Sequence, residues 1–126
     1  MTRELVINVV TEDLLAPMVA SSSEVEPDID EFELAKVESL PSILVKPKRV
    51  AKAPVQMECR THQIIEISPG IVDLVIAEVL LFHIDDSLPL GDDLHIPAAA
   101  IRPLARLGGS EYGALGDIQN VKRPTK

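Results

Sequence analysis

Several arrangements of chemistry-bearing residues stand out in this 126-residue chain. Cys59 and His62 invite a thiol–imidazole nucleophile. Their odd spacing on an extended strand sends the two side chains to opposite faces, which points instead to a buried, inert thiol. His83 and Asp85 share a strand face and are metal-ligand types, but two ligands without a third close by do not make a metal site. His95 is read as a loop residue, and no metal is predicted. The glycines from Gly108 to Gly116 follow neither the dinucleotide fingerprint nor the Walker loop, because no strand-borne Gly-x-Gly-x-x-Gly and no Gly-Lys-Ser/Thr ending is present. Those two phosphate cradles are excluded.

What Gly108-Gly109 does offer is close backbone approach to a flat ligand, since residues lacking a β-carbon take conformations that others cannot. The bland alternative is a loop turn. Tyr112 offers either a stacking ring or a half-buried phenol with its hydroxyl bonded. Arg102 and Arg106, four apart, fall on one side of a helical turn, where they can meet a phosphate or an acid of the 24–38 stretch. Ser21, Ser22 and Ser23 can give hydroxyls to a phosphate or, as serine runs in loops do, to their own backbone.

The elements that must position these groups follow from patterning. Leu5 to Val10 is a β-branched run that starts almost at the first residue, as a strand does when a chain is cut just upstream of it. Thr11 can cap a short helix through Leu14, Leu15 and Met18, with Glu12 and Asp13 in the dipole-favoured first turn and Pro17 limiting its length. Residues 21–38 combine serines, Pro27 and seven acids, an exposed acidic excursion with a helical turn possible at 30–36. Lys46, Lys48, Arg49 and Lys52 then reverse the sign, and Pro41, Pro47 and Pro54 keep that stretch extended.

From Val55 to Ile67 the residues alternate. Met57, Cys59, Thr61, Gln63, Ile65 and Ile67 fall on one face, and Glu58, Arg60, His62, Ile64 and Glu66 on a wetter one. Ser68-Pro69-Gly70 supplies turn chemistry, and Ile71 to Asp85 returns as a second β run, so the two pair as an antiparallel hairpin. Beyond it, 97–100 starts a helical turn and 108–116 reads mostly as loop. Long strands with few helices give a mainly β protein whose sheet curls into a barrel.

Composition bounds the partners. The length suits one domain, 1–126, able to bury a core. A net charge of −8 with three aromatic residues, Phe32, Phe82 and Tyr112, argues against nucleic acid. A single cysteine and a first stretch without a basic, then apolar, signal pattern make the cytoplasm the default location. The longest apolar run, 74–84, is broken by Glu78 and His83 and is too short and polar to span a bilayer.

Three segments, in order, resemble the flavin reductase-like family. The first is Glu4-Leu5-Val6-Ile7-Asn8-Val9-Val10-Thr11, followed by Ser21-Ser22-Ser23-Glu24 and Asp30-Glu31-Phe32-Glu33-Leu34-Ala35, similar to the family's strand, helix and "Asp-Glu-Phe" loop. The second is Val55 to Arg60 with Leu74 to Val79 and His83 to Asp86, similar to its "Glu-Cys" and "Gly-Glu-Val" strands, with Ala77 standing where the family usually has glycine. The third and most specific is Arg102-Pro103-Leu104-Ala105-Arg106-Leu107-Gly108-Gly109-Ser110-Glu111-Tyr112, similar to its closing signature.

The resemblance implies a split β-barrel that binds FMN and usually forms a homodimer, with hydride passing between NAD(P)H and the flavin. It places FMN near Ser21, Ser22, Phe32, Gly108, Gly109 and Tyr112, with no catalytic residue assigned. The family carries further strands upstream, some of which hold the isoalloxazine and the phosphate, and nothing here matches them. The barrel is therefore expected to be N-terminally truncated relative to the family. The alternative is a non-catalytic remnant that keeps only a structural or dimerising role. Absent strands would leave unpaired sheet edges open to a partner.

Overall fold

The computed structural model describes residues 3–21, 32 and 36–125. The readings of Ser22, Ser23 and the turn at 30–36 lie outside the described residues, apart from Phe32 and Lys36. The main sheet has three antiparallel strands in the order β1 (Glu4–Asn8), β4 (Val55–Ser68), β5 (Val72–Ile84). The short strands β2 (Ser39–Leu40) and β3 (Arg49–Val50) pair with each other, as do β6 (Ala105–Gly108) and β7 (Glu111–Gly113).

The expected hairpin is present as β4 and β5, because two β-branched runs flank a turn in which Gly70 takes φ 74 and the Ile71 amide bonds the Ser68 carbonyl at 2.9 Å. Its alternation is not continuous. Register shifts fall between Glu58 and Cys59, between Thr61 and Gln63, and between Glu66 and Ser68. Each shift sets two residues opposite one, bending the strand and changing the phase of the faces.

After β1 the chain turns through a 3-10 turn (Glu12–Leu14) into α1 (Leu15–Ser21). Thr11 takes the N-cap position without a side-chain cap bond. Pro17 is tolerated because it stands in the first turn of α1, where amides have no intrahelical acceptor.

Two expectations for the C-terminal part are corrected. Arg102 and Arg106 do not share a helical turn: α2 (Ala98–Ile101) stops at Arg102, which is left-handed at φ 55, ψ 54, and Arg106 stands in β6. Pro103 explains the stop, since the residue before a proline is pushed out of the helical region. The stretch 108–116, read mostly as loop, begins inside a hairpin, since β6 (Ala105–Gly108) pairs with β7 (Glu111–Gly113).

The fully enclosed apolar core of the described residues is small, comprising Leu14, Val45, Ala53, Val55 and Cys59. Large apolar side chains remain open along the hairpin, among them Ile67, Ile71, Val72, Leu74, Val75 and Phe82. Strand β5 has no partner on its outer side among the described residues.

Candidate functional site

The register places Glu4, Val6 and Asn8 of β1 on the same face as Arg60, Glu58 and Gln56 of β4. Leu81 and His83 of β5 join that face, opposite Glu58 and Gln56. The face read as the wetter one is covered around Glu58 by the 43–53 segment, whose backbone the polar side chains bond. The Asn8 Oδ1 accepts from the Val50 amide at 3.0 Å, and the Glu4 Oε1 from the Lys46 amide at 3.1 Å. The Gln56 amide donates to the carbonyls of Val50 and Ala53 at 2.8 and 3.0 Å, and Arg49 donates to its oxygen at 2.8 Å.

Glu58 is the centre of this face and is fully buried, with 0% exposure. Its Oε1 accepts from the amides of Ile43, Leu44 and Val45 at 3.0, 2.6 and 3.2 Å, and its Oε2 is paired with the His83 Nε2. Burial by itself would raise the carboxyl pKa. The Ile43 amide, His83 and the Leu44 and Val45 amides outweigh it and hold the group down at about 2. An acid of this kind is a clamp for the 43–45 backbone and not a proton donor at neutral pH. His83 is thereby engaged by Glu58, and no group of three or more His, Cys, Asp or Glu side chains is placed to hold a metal among the described residues.

Cys59, opposite Leu5 on the other face, has 0% exposure, and burial pushes its thiol pKa up. Its Sγ lies 3.5 Å from the Met57 carbonyl oxygen. A thiol held protonated and covered is a poor nucleophile, in line with the inert reading.

Two clefts flank the end of β1 and the turn after it. The first, about 280 Å³, is lined by Asn8, Val10, Leu14, Pro17, Met18, Ser21, Phe32, Val37 and Val50. It is walled mainly by apolar side chains, with no charged residue among the described residues of its lining. It brings together two of the residues expected at the ligand, Ser21 and Phe32. The Ser21 hydroxyl donates to the Met18 carbonyl at 2.7 Å, the local use that serines in such positions favour.

The second cleft, about 260 Å³, is more polar and includes Thr11, Glu12, Asp13, Lys52, Ser87 and Arg102 in its lining. Arg102 carries a left-handed backbone that costs a non-glycine residue about 1–2 kcal/mol.

Gly108, Gly109 and Tyr112 sit on the β6–β7 hairpin, outside the lining of both clefts. Gly108 and Gly109 have φ 138 and 55, so both use conformations that disfavour side chains. Tyr112 is half-buried and pairs with Arg106 across the hairpin. The Leu104 amide, one residue before β6, bonds the Val10 carbonyl at 2.9 Å. The hairpin is thus tethered to a residue that lines the first cleft.

These elements define a mainly β domain with a long bulged hairpin and an apolar cleft against its first strand. The chain belongs to the flavin reductase like domain family, whose sequence profile matches residues 1–97. It is 31% identical over 111 residues to an uncharacterised protein of Aquifex aeolicus, covering 88% of this chain and 55% of that protein. Its structure resembles that of nitrilotriacetate monooxygenase component B from Bacillus cereus, with 27% identity and a TM-score of 0.83, over 95% of this chain and 60% of that one. A split-barrel protein of the flavin reductase type from Shewanella frigidimarina, 18% identical, shares the fold at a TM-score of 0.86, over 98% and 62% of the two chains. The fold is therefore the split barrel expected from the sequence, and the chain spans somewhat over half the length of these relatives.

Proposed function

We propose that this chain binds FMN and is part of an oxidoreductase in which a nicotinamide reduces the flavin. The observation that carries the reading is the apolar cleft beside β1, where Phe32 and Ser21 meet in a member of the flavin reductase like family. Bound flavin would supply hydride acceptance and onward electron transfer. The protein's part is to hold the ring and exclude water from it. Val10, Leu14, Met18 and Phe32 offer the ring an apolar wall, and Phe32 a stacking face.

The donor set fits the ring better than the phosphate. Among the described residues no cation lines the cleft, and the Ser21 hydroxyl hydrogen is already given to Met18. The volume, about 280 Å³, is also just below the roughly 300–1,000 Å³ of sites for drug-sized ligands. Further walls must therefore come from outside this lining. Gly108, Gly109 and Tyr112 are proposed as one of them, folding over the ring from the tether at Val10. A second copy of the chain is proposed as another, in a cytoplasmic homodimer. No helix among the described residues is long and apolar enough to cross a membrane.

Titration of FMN against the purified chain, followed by flavin fluorescence, tests the reading. Saturable quenching with about one flavin per chain is expected. Unquenched FMN over a protein with an intact β circular dichroism spectrum would favour the non-catalytic remnant.

A further inference from the structure

We infer that Glu58 is a positioning residue for the first cleft: it seats a strap, residues 39–53, whose position sets the cleft's width and its hold on a flat ligand. Glu58 itself is not among the described residues that line either cleft.

The lining of the first cleft comes from two parts of the chain. One runs from Asn8 through the turn and α1 to Ser21; the other consists of Phe32, Val37 and Val50. Val50 is a strap residue, in β3. The strap also holds the neighbourhood of the other two, since the Ala51 amide bonds the Glu38 carbonyl at 2.9 Å and the Val37 amide bonds the Phe32 carbonyl at 3.1 Å.

Within itself the strap is well braced. Its strands β2 and β3 pair, the Ser42 hydroxyl donates to the Pro47 carbonyl at 2.5 Å, and the Arg49 guanidinium donates to the Pro41 carbonyl at 3.0 and 3.2 Å. Its hold on the main sheet is of another kind. Among the described residues, no backbone–backbone hydrogen bond joins 39–53 to β1, β4 or β5. The bonds run instead through the side chains of Glu4, Asn8, Gln56 and Glu58. A segment that is stiff inside and joined to its support by a few polar contacts moves as a unit, and those contacts set how often it lifts.

Glu58 is the strongest of the four. It is fully buried and takes three consecutive strap amides, a convergence of N–H groups that favours an anion. These bonds are charge-assisted, whereas those of Asn8 are between neutral groups. His83 holds the second carboxylate oxygen, which keeps the first turned toward the strap.

Affinity then follows from population. A cleft whose wall is seated in about one molecule in five binds its ligand about fivefold more weakly. By reciprocity, a ligand in the cleft holds the strap down. The width claim stands on the contacts above; the affinity claim rests on the flavin reading.

Spin labels on Ala16→Cys of α1 and Lys48→Cys of the strap, both exposed positions, report the separation by pulsed electron resonance, and the fully buried Cys59 is spared the label. With Glu58 in place, one narrow distance population is expected. Glu58→Gln should add a longer one, at a temperature where circular dichroism shows the chain folded. His83→Gln, which keeps the amide bonds, should add a smaller share of it and serves if the first variant does not fold. FMN should bind Glu58→Gln at least fivefold more weakly by fluorescence titration and should restore the short distance. A merely structural role would lower the unfolding midpoint and leave both readings of the folded chain unmoved. An unchanged distance distribution in the folded variants overturns the proposal, as does a lengthened distance with equal FMN affinity. If FMN does not bind the unsubstituted chain, the flavin reading falls, and the distances alone then decide whether Glu58 seats the strap.

Discussion

Replacing Glu58 probes the strongest polar feature of the fold. Its carboxylate is fully buried and serves three consecutive amides and His83. Glu58→Ala deletes the acceptor and leaves those buried donors without a partner, which at about 1–3 kcal/mol for each unsatisfied group, partly relieved by relaxation, costs about 3–5 kcal/mol. Glu58→Gln keeps one acceptor oxygen for the amides at neutral rather than charge-assisted strength, a loss of about 2 kcal/mol in all. With a urea m-value of about 2 kcal/mol/M, the alanine variant should lower the unfolding midpoint by about 2 M and the glutamine variant by about half as much. Hydrogen exchange of residues 43–45 should accelerate in both. A midpoint shift below about 0.3 M, or unchanged protection of those three amides, would refute the clamp.

The same carboxylate sets an acid limit. Its folded pKa, about 2, lies below the ordinary glutamate value of 4.5, so its contribution is fully present above about pH 4.5 and is lost as the pH falls toward 2. Glu58→Gln should flatten that part of the stability–pH profile, measured by urea midpoints at successive pH values. Cys59, at 0% exposure with its thiol pKa raised, should react with a disulfide reagent at least 100-fold more slowly in the native chain than in urea. Phe32→Ala should weaken FMN about tenfold by removing a stacking face, as read by fluorescence titration. Tyr112→Ala and Gly109→Val should also weaken it while leaving the β4–β5 hairpin folded; unchanged affinity in both removes the β6–β7 hairpin from the site. The proposed homodimer is tested by Val75→Lys and Phe82→Lys, which place charge on residues that are 47% and 58% exposed; light scattering should report twice 13.7 kDa for the unsubstituted chain and 13.7 kDa for the variants.

How far the sequence carried these conclusions differs by element. The β4–β5 hairpin was legible because its signals are local: two β-branched runs and a Ser-Pro-Gly turn. The Glu58–His83 pair was not, because the residues are 25 apart and meet only through the strand register. Glu58 read as one more polar residue of an alternating strand, and nothing in the pattern said that 43–45 would cover it. The stop at Arg102 had a local signal, Pro103, which outweighs four-residue spacing. The β6–β7 hairpin was hidden by glycine content, although Gly109-Ser110 between pairing residues is a two-residue hairpin turn. Ser21 and Phe32 were singled out by family resemblance, and their meeting in one cleft depends on a chain path that composition does not encode.

The proposed flavin site is the cleft between β1 and α1. Amide chemical-shift mapping of the labelled chain during addition of FMN tests it most directly. The largest shifts are expected at Asn8, Val10, Leu14, Met18 and Phe32, with the hairpin tip at 66–73 unmoved. Shifts absent throughout, or confined to residues remote from that cleft, would contradict it.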